Sequence, residues 1–529
     1  MDAVLHLGET RSMQFNHASR KKNIALSVLV NLICKGVLLV IGFWYRAAFL
    51  RILSIEYQGI SGLFSSILGI LSLADMGIAA SIIYRIYQPV SRDDVERVGQ
   101  LMRYFKKAFQ TIAFTILVCG CVVAFFLPAF IKDLNEVPKD INIYLVFFFY
   151  LIQIVSTYFF TYKLTLFDVD QKQYVNTIIN TAIAVTRYLA QYTILASFRS
   201  FTFALFCGSL VIILFDYLAG LWASKKYPVV FSVHTDLTPE EKKGILKDTF
   251  ASICHKIGGV IIVSTDNVLL SKYIGLAVTG IYSNYALILS RISEFVGVVF
   301  DPFSAALGNV HVTEDLEGRY RIYKRSLIAN FWIAGVITVC LYMLLDDFIM
   351  LWLGEGMLLD ATTVFFLCFQ FYISATRRVS GAYISSCGLF VKDKTRTLIE
   401  ALLNFIISFA LLKMIGVAGV FAGTVISCMM TSYWREPFLL YKYVFKRSSV
   451  DFWLANFKNM LATVLSIAVT VEVNNLLFTT GISIIHWILK GILSVFAFGA
   501  VSIILFINDA DFRFSIKMIC DKVRSMRTT

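Results

Sequence analysis

Charged side chains inside long apolar stretches are the residues of this sequence with the clearest chemistry. In the first such stretch, Asn31, Lys35 and Arg46 fall on one stripe of a helix, because their separations are close to whole numbers of helical turns. A charge held at the centre of a bilayer costs about 2.5 to 3.5 kcal/mol, so these cations must face water or an opposite charge. The pattern predicts the basic wall of a polar cavity.

Other apolar stretches carry polar residues of the same kind. Asp75 shares a helical face with several serines, and Asp266 and Asn267 are adjacent in a later stretch. We predict that these stripes line one cavity of net basic character. The basic candidates are Lys35, Arg46, Arg85, Lys256 and Arg291, and the other polar or ion-coupling candidates are Asn31, Asp75, Asp266, Asn267 and Glu294.

Internal ion pairs that only fix helix packing are the alternative to a cavity. Arg291 and Glu294 are three residues apart and can pair on one helix, so both interpretations stay open for them. A lone histidine such as His255 is more often a satisfied polar side chain than a proton relay. Four charged residues of the later stretches are interpreted as structural: Glu400, Glu472, His486 and Lys490.

The composition places these residues in a membrane. Of the 529 residues, 58% are hydrophobic and only 16% are charged, and the mean hydropathy is +0.73. The apolar runs last about twenty residues, whereas the strands of a membrane barrel alternate over about ten. We therefore predict an all-α polytopic membrane protein with fourteen spans: 24–49, 59–87, 108–130, 141–165, 175–197, 201–223, 250–273, 280–307, 327–351, 361–387, 397–415, 417–440, 456–478 and 482–507.

Lysines and arginines in the connections indicate the orientation. Most of them lie in connections on the same side as the N-terminus, which predicts that both termini are cytoplasmic. The net charge of +13 follows from this asymmetry and does not indicate a nucleic-acid partner. Two connections, at 91–94 and 238–241, resemble capping boxes and predict short interfacial helices.

A weak internal repeat divides the chain. Lys35 aligns with Lys256, and Arg46 with Asn267, at one constant separation. The repeat predicts two six-helix lobes related by a pseudo-two-fold axis along the membrane normal, as in transporters that bind substrate between their halves. The predicted parts are an N-terminal tail 1–23, an N-lobe 24–223, a connection 224–249, a C-lobe 250–440, a helical hairpin 441–508 and a basic tail 509–529.

The sequence carries no catalytic motif. It has no P-loop, GxSxG or HExxH segment, and its ten cysteines have neither CxxC nor zinc-site spacing. We therefore expect neither an enzyme nor a protein with a cofactor or a metal. Gly416, Gly419 and Gly423 are predicted to allow close helix packing.

Several segments carry a family resemblance when they are taken in order. They are YQGISGLFSSILGILSLADMGIAASIIYRIY, GIYSNYALI, LWLGE, GLFVKDKTRTLIEALLNFIIS, and GVAGVFAGTVIS followed by WREPFLLYKYVF. Over about residues 24–447 the chain resembles the Wzx-like bacterial polysaccharide flippases of the multidrug/oligosaccharidyl-lipid/polysaccharide (MOP) exporter superfamily.

The resemblance implies a fold and a function. It implies two six-helix lobes and alternating-access transport of undecaprenyl-pyrophosphate-linked oligosaccharide across the bacterial cytoplasmic membrane, with ion or proton coupling. The implied partners are that lipid-linked oligosaccharide, membrane lipids, and the polymerase and chain-length machinery of polysaccharide assembly. Two alternatives stay open, an ion-coupled drug antiporter of the same superfamily and a membrane-embedded polymerase or ligase.

Overall fold

A computed structural model describes residues 20–389, 393, 395–477, 483–509 and 512–513. Some helical positions within these ranges are described by their backbone only. Among the residues predicted to form the site, the side chains of Asp75 and Lys256 lie outside the described part, as does that of His255.

The described residues form helices and no strand, which confirms the all-α prediction. Nine helical segments among these residues are long and apolar enough to cross a membrane. The described residues of each predicted span lie mostly in helices, but the count of fourteen remains a prediction. The α-helices are α1 Arg20–Ile52, α2 Ile55–Leu71, α3 Asp75–Ser91, α4 Val95–Phe125, α5 Ile143–Phe160, α6 Thr165–Val169, α7 Gln173–Phe198, α8 Phe201–Lys226, α9 Pro228–Phe231, α10 Pro239–Tyr273, α11 Leu276–Thr313, α12 Leu316–Leu353, α13 Ala361–Thr376, α14 Arg378–Ser386, α15 Arg396–Ile415, α16 Val417–Met430, α17 Ser432–Leu440, α18 Val450–Leu477 and α19 Ile484–Phe506.

The helix starts differ in part from the prediction. Thr238 and Glu241 form the expected capping box at the start of α10. At the start of α4, however, the N-cap is Asp94, whose carboxylate accepts the backbone N–H of Arg97 at 3.0 Å, while Ser91 is the last residue of α3. The prediction of separate interfacial helices is wrong, because α4 and α10 each continue without a break into the predicted span.

The second predicted span is two helices instead of one. A 3-10 turn, Ser72–Ala74, separates α2 from α3, so Asp75 is the first residue of a new helix. At such a break some backbone groups lose their α-helical hydrogen bonds and need other partners. The Ser72 hydroxyl provides one, because it donates to the Gly69 carbonyl oxygen at 3.0 Å.

The chain divides into two compact units, Met1–Ala277 and Val278–Thr529. In the first unit, α1 packs against α7, α5 packs against α8, and α10 packs against α2 and α3. The first unit therefore includes α10, the helix that the repeat assigns to the C-lobe. The repeat-based boundaries rest on a sequence match and not on packing, and they stay a prediction.

In the second unit, glycines allow α15 and α16 to approach closely. A Cβ atom at Gly419 would lie 2.2 Å from the Leu411 carbonyl oxygen, and one at Gly423 would lie 2.3 Å from the Ser408 hydroxyl oxygen. Gly416 has a different role, because nothing lies within 4 Å of a Cβ placed there and its φ is +64°. It supplies the left-handed turn between the two helices, so the packing role predicted for Gly416 is wrong.

Buried charges of the second unit form ion pairs. Asp393 accepts from Arg396 at 2.5 Å and from Arg435 at 2.9 Å. Arg396 also reaches Glu400 at 3.1 Å, and Lys490 of α19 donates to Asp347 of α12 at 2.8 Å. These pairs support the structural interpretation of Glu400 and Lys490, since each carries an opposite charge in contact. A second set of contacts extends the network: Arg377 with Glu436, and Ser432 with Glu400.

We predict that Gly423→Ala destabilises the protein by about 1 to 3 kcal/mol, because the added methyl group overlaps Ser408, including its Cα atom at 2.5 Å. Thermal unfolding in detergent measures the effect. Gly499→Ala in α19 is the matched control, since nothing lies within 4 Å of its added methyl group. Equal melting temperatures for the two variants would contradict the packing argument.

Candidate functional site

Arginine and tyrosine side chains from three helices of the first unit meet around Arg46. Tyr45, Tyr150 and Tyr188 lie close enough to interact electrostatically with the Arg46 guanidinium. The Tyr45 and Tyr188 rings have centroids 4.7 Å apart, and the Arg187 guanidinium lies 4.8 Å from the centroid of the Tyr188 ring. We call these five residues the Arg/Tyr cluster.

Each member of the Arg/Tyr cluster is positioned by helix packing. Tyr45 and Arg46 are neighbours on α1, Arg187 and Tyr188 are neighbours on α7, and the α1–α7 contact brings the two pairs together. Tyr150 comes from α5. Aromatic contacts fix this arrangement, since Trp44 on α1 and Tyr192 on α7 also meet, with their centroids 4.7 Å apart.

The cluster has polar capacity to bind a ligand. The Arg187 Nε atom is buried and donates no hydrogen bond to any residue that the structure describes. Lys35, further along α1, is half-buried and forms no ion pair with the described residues. Guanidinium and ammonium groups with unused donors are suited to bind an anion.

The polar residues of α10 point to a different neighbour. The Asn267 side-chain amide donates to the Ser66 hydroxyl of α2 at 2.8 Å, and its Oδ1 atom is buried without a partner among the described residues. Asp266 is also buried, with 1% of its surface exposed. The structure therefore joins Asn267 to α2, and whether the predicted stripes share one cavity stays a prediction.

Arg85 of α3 forms an ion pair with a carboxylate of α10. It donates to Asp248 at 2.5 Å, and beside it Arg97 pairs with Glu241. The four residues line a cavity of about 740 Å³. Asn31 lines a separate cavity of about 320 Å³, together with Asp168, Gln171 and Gln173 among others.

The Arg291 and Glu294 side chains form an ion pair within α11. Arg291 Nη1 lies 3.0 Å from both carboxylate oxygens of Glu294, with 31% and 45% of the two side chains exposed. Of the two interpretations left open, the structure shows the internal pair. This pairing leaves Glu294 less suited to carry a coupling ion on its own.

Sequence reasoning missed most of the Arg/Tyr cluster. Arg187 lies within the predicted span 175–197 and could have been found by the signal that identified Arg46, a charge inside an apolar stretch. The tyrosines could not, because tyrosine is common in apolar spans and only the packing of the helices brings them close to Arg46.

No sequence profile of a known family and no curated protein matches this chain. Solved structures do share its fold. The lipid II flippase MurJ in an inward closed conformation has a TM-score of 0.68 at 12% identity, over 92% of this chain and 99% of its own. A multidrug resistance MATE family transporter of the MOP superfamily has a TM-score of 0.58 at 13% identity, over 76% of this chain and 95% of its own. The Vibrio cholerae MATE transporter VcmN has a TM-score of 0.50 at 10% identity, over 82% of this chain and 98% of its own. The chain therefore has the fold of MOP-superfamily transporters and flippases.

The ion pair of Glu241 predicts a pH-dependent contribution to stability. The Arg97 guanidinium and the Thr238 backbone N–H lower the pKa of the Glu241 carboxyl from 4.5 to about 2. Because the folded pKa is depressed, the stabilisation is complete above the ordinary pKa and is lost as the pH falls through about 2.

We predict that Glu241→Gln lowers the melting temperature at neutral pH and that its difference from the unsubstituted protein shrinks on acidification, where both side chains are neutral. Melting in detergent across this pH range measures it. Glu240→Gln, in the same first turn of α10, is the control and should show a smaller difference. A Glu241→Gln difference that stays constant with pH would contradict the assignment.

Proposed function

We propose that this chain is a flippase that moves undecaprenyl-pyrophosphate-linked oligosaccharide across the bacterial cytoplasmic membrane for surface polysaccharide assembly. The observation that carries the proposal is the Arg/Tyr cluster inside a fold shared with a lipid II flippase. Both termini would lie in the cytoplasm, as the basic connections predict.

The chemistry of the cluster suits a diphosphate. Arginine offers a planar fork of donors that fits phosphate oxygens, and a bond to a charged acceptor is about twice as strong as a neutral one. Arg46 and Arg187 supply two such forks, and three tyrosine hydroxyls add uncharged donors beside them. A diphosphate would therefore find charge and hydrogen bonds together within the apolar interior of the first unit.

The cluster also supports a flippase over a drug antiporter of the same fold. A carrier of organic cations needs carboxylates and aromatic faces, whereas two guanidinium groups repel a cation. The charge of the cluster therefore favours an anionic lipid-linked substrate.

Transport by this proposal proceeds by alternating access. The substrate's diphosphate binds the cluster, the sugars occupy polar space, and the polyprenyl chain stays among apolar helices and lipid. An ion or proton gradient supplies the driving force. The delivered oligosaccharide would pass to a polymerase and chain-length machinery, and the chain itself would carry out no covalent chemistry.

We predict that Arg46→Ala and Arg187→Ala each reduce translocation roughly tenfold to a hundredfold, because each removes hydrogen bonds to a charged group worth about 1.5 to 3 kcal/mol. The assay uses proteoliposomes loaded with a polyprenyl-diphosphate-linked oligosaccharide and measures the fraction of sugar exposed outside to a glycan-modifying reagent. Lysine variants at both positions should retain part of the activity, since charge is kept but the fork is lost.

Arg51→Ala is the matched control, because Arg51 is an exposed arginine in the last turn of the same α1 helix. It should translocate normally. Full activity in both cluster variants, or a preference of the protein for cationic dyes, would overturn the proposed function.

A further inference from the structure

A buried acid in the first unit has no role in the Arg/Tyr cluster. Asp216 lies in the middle of α8, in a segment apolar and long enough to cross a membrane, and only 4% of its surface is exposed. Its Oδ2 atom accepts no hydrogen bond from any residue described by the structure. Asp393 of the second unit is equally buried but contacts two arginines.

The face of α8 that carries Asp216 packs against α5 and the turn that follows it. Seven residues before Asp216, the Ser209 hydroxyl accepts the Gln153 amide at 2.8 Å and donates to the Leu205 carbonyl at 2.7 Å. This serine and glutamine are thus engaged with each other. Four residues after Asp216, Gly220 lies against Phe160.

The charged residues on the neighbouring elements can be named from their sequences. Helices α5 and α9 contain no charged residue. Helix α7 has one, Arg187, and its guanidinium lies over the Tyr188 ring. Lys225 and Lys226 lie at the far end of α8 itself. The 3-10 turn Thr161–Leu164 contributes Lys163.

Tyrosines on the neighbouring elements have other contacts, and in the 3-10 turn the ring of Tyr162 lies 6.2 Å from that of Phe105. On α5, Tyr150 belongs to the Arg/Tyr cluster, and the ring of Tyr158 meets that of Phe109 at 5.3 Å. The ring of Tyr217, beside Asp216 on α8, meets that of Phe160 at 5.6 Å.

Lys163 is the cation best placed to reach the acid. A Cβ atom at Gly220 would lie 3.7 Å from Lys163 Cδ, so the lysine stem runs along the Asp216 face. Four residues of helix correspond to about 6 Å along the axis, within the reach of a lysine side chain that changes rotamer. In this structure the Lys163 ammonium instead points to the Phe231 ring, 5.7 Å from its centroid.

An ionised carboxylate in this position would be costly. An unpaired buried charge loses its hydration with nothing to replace it, whereas a neutral carboxyl group loses only hydrogen bonds. The acid therefore holds its proton while Lys163 is turned away. When the ammonium turns towards Asp216, the carboxylate gains a partner, the O–H bond breaks and the proton passes to water.

We infer that Asp216 is a proton-binding site, neutral in this structure, whose release of the proton is controlled by the position of Lys163. Its use in coupling transport to a proton gradient rests on the proposed function. The proton binding itself does not, because it follows from burial and from the contacts of α8.

Infrared spectroscopy of the full-length protein in lipid nanodiscs tests the inference without a substrate. At neutral pH, the carbonyl stretch of a protonated carboxyl group should be present and should lose one component in Asp216→Asn. Ser209→Ala, an uncharged change on the same face of α8, is the control and should keep that component. In Lys163→Met the component should persist to a pH higher by about one unit or more, because the carboxylate has lost its partner.

Identical spectra of the unsubstituted protein and Asp216→Asn at neutral pH would overturn the proton site. A titration in Lys163→Met that matches the unsubstituted protein would overturn the role of the lysine. In the proteoliposome assay, Asp216→Asn should keep exchange without a gradient and lose its acceleration by a pH gradient. If the infrared component is found but the unsubstituted protein translocates no lipid-linked sugar, the proposed function fails and the proton site stands.

Discussion

The free-energy cost of a charge in an apolar interior governs the arrangement of polar residues in this protein. In the second unit that cost is offset by pairing: Asp393 contacts Arg396 and Arg435, and Lys490 contacts Asp347. Such pairs are complete in themselves, because each cation already has its anion. They hold helices together and leave no charge available for a ligand.

The first unit also contains ion pairs, such as Arg85 with Asp248 and Arg97 with Glu241, but two of its buried groups are not paired in this way. Arg187 of α7 has a buried donor without a partner among the described residues, and Asp216 of α8 has a buried acceptor without one. Partners for these two groups would stabilise the unit further, so their absence among the described residues indicates that the groups serve a function. The basic group fits a diphosphate and the acidic group fits a proton, the two species that a gradient-driven flippase must bind.

Much of the fold and part of the site could be predicted from the sequence. Apolar runs of about twenty residues located the helices, since length alone distinguishes them from barrel strands. The stripe of Lys35 and Arg46 could be predicted because it depends only on the separation of residues along one helix. Arg187 and Asp216 required the packed structure, because their environment depends on which helices meet. Gly416 shows the same limit, since its positive φ serves a turn that spacing alone could not distinguish from close packing.

The proposed function requires the first unit to bind a diphosphate lipid through its arginines. Native mass spectrometry of the purified protein, with equal amounts of polyprenyl diphosphate, polyprenyl monophosphate and polyprenol, measures this preference directly. We expect the diphosphate to bind most, the neutral alcohol least, and the difference between them to collapse in an Arg46→Ala, Arg187→Ala double variant. Equal binding of all three lipids by the unsubstituted protein, or an unchanged preference in the double variant, would contradict the account.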